Sequence, residues 1–254
     1  MIKNILQGIQ AYTGALALIS KLKLWKFFFI PIIISLITAL FIGISAYGLS
    51  DNIGNLLSKV WLWEWGASTF RTVSEVLGGI VILAVGLIVY KHIVMALSAP
   101  FMSPVSEKIE LHLLGVKHTH RNTTNLSQLW RGIRINFRNL GMELLLTIPI
   151  LIISFIPIIN IFSSALLFLV QSYYAGFGNM DYTLERHYEV KDSVAFVKSN
   201  RGLAIGNGIV FMSMLLIPVL GIILVLPLSV TASTTETVKR IEEANRLKES
   251  IIIQ

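Results

Sequence analysis

The sequence has 254 residues, of which 54% are hydrophobic and only 14% are charged, and its mean hydropathy is +0.73. Soluble domains carry about 25% charged residues, so this composition excludes an ordinary soluble protein and indicates an integral membrane protein. The apolar runs lack the period-two alternation of a membrane β-barrel, so we predict an all-α fold. We treat residues 1–254 as one membrane domain.

The net charge of +7 does not call for a nucleic-acid partner, because membrane proteins retain Lys and Arg on their cytoplasmic side. The absence of cysteine excludes disulfides, iron–sulfur clusters and cysteine-based zinc sites. His118 and His120 have no nearby carboxylate in sequence, so we predict no metal site. The sequence also lacks nucleotide-binding, hydrolase and metalloprotease motifs, and we expect neither a cofactor nor an enzyme.

Two long spans are predicted in the first half of the chain. Residues 2–19 place apolar side chains at helical spacing with polar residues between them, which predicts an amphipathic interfacial helix. Residues 27–50 carry no charge and exceed the roughly 20 residues that cross a bilayer. We place the second span at residues 76–97. The tryptophans in residues 51–75 suggest that this connection lies at the membrane surface.

The region after the second span is more polar. Lys91 and His92 fall near the inner end of that span, where we expect them to snorkel to the headgroups. Pro100 and Pro104 predict a break in the helix, followed by a short helix that ends before Gly115.

The next helix carries Arg131, Arg134 and Arg138 at one-face spacing. Arg131 and Arg134 are candidates for an anion vestibule, although a solvated face or a contact with acidic lipids explains the same stripe. We expect Glu143, which follows on the same helix, to pair with Arg138 or Arg134.

Residues 144–180 and 202–235 are the two longest later apolar stretches, and neither contains a charged residue. Each is interrupted near its middle by a proline, Pro157 in the first and Pro218 in the second. Proline removes a backbone hydrogen bond and clashes with the preceding turn, so each stretch is predicted to form two helices that meet at an apex. Two kinked spanning helices are the alternative.

Asn160 and Gly221 follow the two prolines by three residues and tolerate the left-handed geometry of a reversal. Residues 144–156 form a helix of only about 20 Å, against a hydrocarbon thickness of about 30 Å. We therefore predict two re-entrant, hemi-penetrating hairpins in addition to the two long spans. This arrangement leaves only Lys59 and Arg71 outside and the other basic residues on the cytoplasmic side, as the positive-inside rule prefers.

Several short motifs resemble one membrane-protein family. The sequence Ser-Ala-Pro-Phe at residues 98–101 and the Glu-containing stretch at residues 106–110 resemble the "AAPF…AE…E" region of CysZ sulfate permeases, whose superfamily includes a eukaryotic etoposide-induced membrane protein. Asp181, Tyr182 and His187 resemble the "DYP…H" segment of that family. Residues 155–157 and 201–206 resemble its two hairpin regions, so the matches cover nearly the whole chain.

This resemblance implies a sulfate-uptake protein of the bacterial cytoplasmic (inner) membrane that forms homo-oligomers, with two long helices and two hemi-penetrating hairpins. One motif departs from the family. The permeases carry Gly-x-Arg-Arg-Phe before the first span, whereas residues 23–27 here read Lys-Leu-Trp-Lys-Phe. Lysine lacks the planar fork with which arginine binds oxyanions, although Lys23 and Lys26 at a helix N-terminus still attract anions. Anchoring of the helix to lipid phosphates is the alternative.

We expect the oxyanion, most directly sulfate, to contact Lys23, Lys26, Arg131 and Arg134, and to meet backbone N–H groups near Asn160 and Gly221. Asp181, Tyr182 and His187 form either a proton relay or a structural hydrogen-bond cluster. The rival function is a non-transporting membrane scaffold or assembly protein of the same superfamily, which the altered basic motif favours.

Overall fold

The computed structural model describes residues 1–58, 67–115, 124–154, 157–217 and 219–252, and its regular elements there are all helical. In chain order the helices are α1 (Ile2–Gln10), a 3-10 turn (Ala11–Gly14), α2 (Ala15–Lys21), α3 (Trp25–Ser58), α4 (Ala67–Leu114), α5 (Asn125–Ser154), α6 (Pro157–His187), α7 (Val190–Ser199), α8 (Arg201–Leu215) and α9 (Leu220–Ile252). The prediction of an all-α fold is confirmed.

Within the described part of the chain, five helical segments are long and apolar enough to cross a membrane. They are Trp25–Leu49, Val85–Leu114, Asn125–Ser154, Ile159–His187 and Gly221–Leu247. The first of these buries few of its residues inside the protein, and its exposed side chains are large and apolar, as expected of a surface that faces lipid. The protein is an integral membrane protein.

Helix α4 is continuous through Pro100 and Pro104, so the predicted break after the second span is wrong. A neighbouring helix supplies donors around the proline region, since the Tyr182 hydroxyl donates to the Met95 carbonyl at 2.7 Å. Arg186 donates in the same way to the carbonyl of Ser103 at 3.2 Å. Prolines are tolerated in membrane helices where such partners satisfy the backbone.

Helices α5 and α6 form an antiparallel hairpin. Near its open end Arg131 pairs with Asp181 at 2.8 Å, and further in the Arg138 guanidinium lies 5.8 Å from the Phe177 ring centroid. The chain therefore reverses between Ser154, the last described residue of α5, and Pro157, the first described residue of α6. The predicted interruption of the first apolar stretch is confirmed.

Helices α8 and α9 form the second antiparallel hairpin. The Asn207 amide donates to the Ser229 carbonyl at 3.0 Å across the pair. The turn between the helices contains Val219, which has a φ of 65°, while Pro218 itself lies outside the described residues. Asn160 and Gly221 are helical residues of α6 and α9, so the expectation that they take left-handed geometry is wrong. At Gly221 a Cβ atom would meet the Met214 carbonyl, so the glycine permits a close approach of the two arms.

The arms of the hairpins are longer than expected. Helix α5 has 30 residues and α6 has 31, which is about 45 Å each, because both extend into polar sequence beyond the apolar stretch. The predicted short arms are therefore wrong for the first hairpin, and only α8, which has 15 residues, is as short as expected. The reversal of each stretch is observed, and the re-entrant depth stays a prediction.

The two hairpins cross where glycine lets backbones touch. A Cβ atom at Gly176 would collide with the Ala204 carbonyl, and one at Gly208 would collide with the Ser172 carbonyl. Contact between small residues is a common means of packing helices in membranes, where no hydrophobic force acts between them. The α6–α8 contact thus joins the hairpins into one unit.

The N-terminal segment packs on this unit. A Cβ atom at Gly8 of α1 would come within 2.7 Å of the Leu203 carbonyl of α8, so these backbones are also in contact. The Tyr12 hydroxyl lies 2.8 Å from the Asn207 carbonyl and 2.7 Å from the Ser229 hydroxyl. Burial raises the pKa of the Tyr12 phenol above its ordinary value, which keeps it protonated. The predicted amphipathic segment is therefore anchored to both arms of the second hairpin.

Candidate functional site

In its second half, helix α5 turns Asn136, Asn139, Glu143 and Thr147 inward and most of its large apolar residues outward. Its buried positions are Gln128, Gly132, Ile135, Asn136, Asn139, Glu143 and Thr147. Its most exposed side chains include Leu126, Trp130, Phe137, Leu145 and Ile152. A soluble protein reverses this pattern, so the outer face of α5 suits lipid and the inner face gives the protein a polar core.

The centre of that core is a group of four side chains, Lys91 and His92 from α4 and Asn136 and Glu143 from α5, here called the Lys91 cluster. The Lys91 ammonium lies 2.6 Å from one Glu143 oxygen, and both side chains are 0% exposed. His92 Nε2 lies 2.9 Å from the other Glu143 oxygen, and His92 Nδ1 lies 3.3 Å from Asn136 Oδ1. A third helix joins through the Gln171 carbonyl of α6, which is 3.4 Å from the Lys91 ammonium.

The Lys91 cluster lies near the mid-depth of the first span. Helices α3 and α4 are antiparallel, since the Lys108 ammonium lies 4.7 Å from the Phe27 ring centroid and Gly86 packs against Ile42. This register places Lys91 level with about residue 38 of α3, which is close to the centre of the span Trp25–Leu49. Ionisable groups at such depth are costly to bury and usually functional.

Two expectations about these residues are wrong. Lys91 and His92 do not snorkel to the headgroups, because Lys91 is fully buried and ion-paired. Glu143 does not pair with Arg134 or Arg138, since both of its oxygens contact the Lys91 cluster. One signal in the sequence indicated this face: Asn136, Asn139, Glu143 and Thr147 recur every three or four residues on an otherwise apolar helix.

A second polar group joins α5, α6 and α7 at the open end of the first hairpin. Arg131 holds both oxygens of Asp181, at 3.1 and 2.8 Å, and also donates to the Tyr188 carbonyl and the Ser193 hydroxyl. The guanidinium is thus largely occupied by protein acceptors. Asp181 faces this arginine, and the structure does not bring it together with His187 in an ion pair.

A third polar group lies between the C-terminal half of α4 and the end of α6. Arg186 and His187 both contact the Glu110 carboxylate, at 2.8 and 2.9 Å. Arg186 also donates to the Ser106 hydroxyl, which in turn donates to the Tyr182 carbonyl at 2.8 Å. His187 therefore finds its carboxylate partner on another helix, one that the sequence motif Asp-Tyr did not suggest.

The basic motif before the first span sits at the start of α3. Lys23 has a φ of 53°, and the chain closes α2 there with a bond of 2.9 Å from the Leu24 N–H to the Ile19 carbonyl. This is the left-handed position that helix ends reserve for glycine. Lys26 is exposed, and its ammonium lies 5.4 Å from the Phe27 ring centroid. Lys23 thus lies in the turn between α2 and α3, and Lys26 lies in the first turn of α3.

The remaining candidates lie apart from the Lys91 cluster. Arg134 is exposed in a groove of about 350 Å³ that also contains Trp130 and Lys191. Asn160 is exposed on α6, where it accepts a hydrogen bond from Ser164 at 3.1 Å. The structure does not gather the predicted anion-binding residues into one site. Among the described residues it shows no group of three metal-ligating side chains.

The fold and the Lys91 cluster define an integral membrane protein built around a buried polar core. Comparison with known sequences then identifies the family. The sequence model described as "Sulfate transporter CysZ/Etoposide-induced protein 2.4" matches residues 11–225, and the chain belongs to this family.

Two curated relatives have the same name. The chain is 26% identical over 239 residues to the "Sulfate transporter CysZ" of Pseudomonas fluorescens strain Pf0-1, covering 91% of this chain and 92% of that protein. It is 26% identical over 245 residues to the "Sulfate transporter CysZ" of Pseudomonas aeruginosa strain PAO1, covering 95% and 97%. The resemblance noted in the sequence is confirmed, and the family is one of transporters rather than enzymes.

Proposed function

We propose that this protein is a permease or channel that admits a small oxyanion, most directly sulfate, to the cytoplasm for sulfur assimilation. The names of the curated relatives support sulfate as the substrate. The observation that carries the proposal is the Lys91–Glu143 pair, which is buried at mid-depth on the polar face of α5. A buried ion pair is weak evidence for stability but good evidence for function in a membrane.

Within the Lys91 cluster, the Lys91 ammonium is the group that suits an oxyanion. An oxyanion needs donors to replace its water, and the Lys91 ammonium carries three N–H groups and a positive charge. In the resting protein Glu143 provides the countercharge at 2.6 Å. An arriving sulfate takes over as the acceptor for Lys91, and His92, which contacts the same carboxylate at 2.9 Å, holds Glu143 aside.

Exposed cations supply the approach to this core. Lys26 and Lys108 flank the Phe27 ring at the start of α3, and Arg134 lies exposed near the start of α5. Their field concentrates anions near the open ends of the hairpins. Lys23 adds charge there, and Arg131 contributes chiefly by holding Asp181.

Both hairpins enter from and return to the cytoplasmic face of the inner membrane in this proposal. The basic residues outside the membrane then lie on that face, apart from Lys59 and Arg71. Backbone N–H groups near the two apices, beside Pro157 and Pro218 and including that of Asn160, remain proposed contacts for the anion. The predicted contact at Gly221 is not kept, because its N–H already donates to the Ile217 carbonyl at 2.8 Å. Homo-oligomers are proposed from the family resemblance.

The alternative is a non-transporting scaffold or assembly protein. Trp25, 41% exposed, stands where the permease motif has an arginine, and this substitution favours the alternative.

Sulfate flux into proteoliposomes tests the proposal. The double variant Lys91→Met/Glu143→Gln removes both charges and leaves no uncompensated ion in the core. We expect it to fold and to lose at least 90% of the sulfate flux of the unaltered protein.

The matched control is Glu236→Gln/Lys239→Gln, which removes an ion pair of the same 2.6 Å length from the exposed surface of α9. This control is expected to keep full flux. No flux by the unaltered protein above that of empty vesicles supports the scaffold. Full flux by the Lys91→Met/Glu143→Gln variant shows that the anion takes another route.

A further inference from the structure

Two buried donors on the polar face of α5 have no hydrogen-bond partner among the described residues. They are the side-chain amide nitrogen of Asn139 and the hydroxyl of Thr147. Asn139 is 0% exposed and Thr147 is 3% exposed. An unpaired polar group in a protein interior is unfavourable, and native structures usually satisfy such groups with protein, water or ligand.

The orientation of the Asn139 amide follows from its neighbour. Arg138 donates to Asn139 Oδ1 at 3.0 Å, and a guanidinium can only donate. The oxygen of the amide is therefore the end that faces Arg138, and the NH₂ end is the unpaired one. This end offers two N–H groups and no acceptor.

The Thr147 hydroxyl also has no hydrogen-bond partner among the described residues. Buried helical threonines often donate to the carbonyl four residues earlier, as Thr231 does to Pro227 at 2.8 Å in α9. Thr147 makes no such bond with its own helix. Its hydroxyl therefore remains available as a donor.

The two donors are placed symmetrically about the buried carboxylate. Asn139 lies four residues before Glu143 and Thr147 lies four residues after it, so all three share one face of α5. Successive positions are about 6 Å apart along the helix axis. Lys91 contacts the middle position, through Glu143. The polar core thus holds two unpaired donors, one on each side of a carboxylate whose charge the Lys91 ammonium balances.

We propose that Asn139 and Thr147 are the residues that determine anion specificity, binding the oxyanion immediately before and after it meets Lys91. This inference rests on the proposed function and extends it from one site to three. Sulfate is deprotonated at neutral pH and accepts hydrogen bonds without donating any, which matches the two unpaired donors and the Lys91 ammonium between them. Multi-site binding of this kind allows an ion to move between positions without being held too tightly at one.

Isosteric variants test the inference: Thr147→Val and Asn139→Leu. Removing the unpaired Thr147 hydroxyl leaves no partner unsatisfied, so we expect Thr147→Val to keep or raise the unfolding temperature in detergent. Asn139→Leu also removes the oxygen that accepts from Arg138 at 3.0 Å, so we expect its unfolding temperature to fall slightly. We expect each to lower sulfate flux at least tenfold. Excess chloride is also expected to inhibit the remaining flux more strongly than it inhibits the unaltered protein, since chloride needs fewer donors.

Thr231→Val is the matched control, because this threonine is equally buried and its hydroxyl is already paired. The control should lower the unfolding temperature and leave the sulfate-to-chloride selectivity unchanged. If the unaltered protein transports sulfate and the Thr147 and Asn139 variants stay within twofold of it in flux and selectivity, the inference is wrong while the proposed function stands. If the unaltered protein transports no sulfate, both are wrong.

Discussion

Lys23 holds a strained backbone position at the junction of α2 and α3. Its φ of 53° lies in the left-handed region, which costs a residue with a Cβ atom about 1–2 kcal/mol. The permease motif places glycine at the corresponding position. The structure thus gives this motif position a conformational role. The lysine in place of glycine affects the backbone, whereas Trp25 in place of arginine removes a charge.

Replacing Lys23 with glycine is expected to stabilise the protein by about 1 kcal/mol, because the strain disappears and only part of the gain is offset by the flexibility of glycine in the unfolded chain. The measurement is thermal unfolding in detergent micelles. Lys23→Ala is the control, since it removes the charge but keeps the Cβ atom. An equal gain in both variants would assign the effect to charge rather than to backbone strain.

Glu143 neutralises a lysine that has no access to water. Glu143→Gln leaves the Lys91 ammonium buried without its countercharge, and breaking a buried pair in this way typically costs 3–5 kcal/mol. We expect Glu143→Gln to unfold at a markedly lower temperature than the unaltered protein. Adding Lys91→Met should restore most of the loss, because the double variant carries no unpaired charge. A single variant as stable as its parent would contradict the buried pair.

At the scale of helices, the α6–α8 crossing depends on two glycines. Gly208→Ala directs its Cβ atom into the Ser172 backbone, where no flexible side chain can yield. We expect a loss of several kcal/mol or failure to fold, since overpacking alone costs about 1–3 kcal/mol and here the backbones must separate. Yield and unfolding temperature in detergent are the measurements.

The comparison for this prediction is Gly141→Ala on the exposed part of α5, where a Cβ atom meets nothing within 4 Å. The added methyl group there should stabilise the helix by about 0.5–1 kcal/mol. If Gly208→Ala and Gly141→Ala change the yield and the unfolding temperature by the same amount, the α6 and α8 backbones lie farther apart than the structure shows.

The existence of the helices was predictable because long apolar runs and prolines are local signals. Pro157 correctly marked a reversal of the chain, since α5 and α6 run antiparallel on either side of it. Pro100 and Pro104 did not break α4, because donors from α6 support that region and such partners are not visible in the local sequence. The polar half of α5 was predicted correctly as a helix from the spacing of its arginines, and the arm was taken as too short because only residues 144–156 were counted toward its length.

The candidate site was less predictable than the fold. The sequence predicted Lys26 and Arg134 as anion-binding residues because each belongs to a cluster of basic residues. Lys91 was predicted to lie at the inner end of its span, near the headgroups. Its burial depends on Glu143, 52 residues away on another helix. The spacing of Asn139, Glu143 and Thr147 was the local signal, and its meaning depends on which face of α5 turns inward.

For the whole molecule, the hairpins predict that α7 and the end of α9 share one side of the membrane. The chain has no cysteine, so single cysteines can be introduced at exposed positions: Ser199 in α7, Lys239 in α9 and Leu49 at the far end of the first span. In sealed vesicles we expect a membrane-impermeant reagent added outside to label the same fraction of Ser199→Cys and of Lys239→Cys. The fraction of Leu49→Cys that it labels should be the complement of this one, because Leu49 lies on the other side of the membrane. If the reagent labels the same fraction of Ser199→Cys as of Leu49→Cys, the chain from α5 to α6 crosses the membrane once and does not return.

Cysteines on the two faces of α5 test most directly whether anions travel along its polar face. The measurement is their reactivity with a negatively charged thiosulfonate reagent. Asn139→Cys and Thr147→Cys probe the polar face, and Phe137→Cys and Leu145→Cys, exposed to lipid at 77% and 63%, probe similar depths on the other. We predict that the first pair reacts, that sulfate slows this reaction, and that the second pair does not react. Equal reactivity on both faces, or none on the polar face, would contradict this prediction.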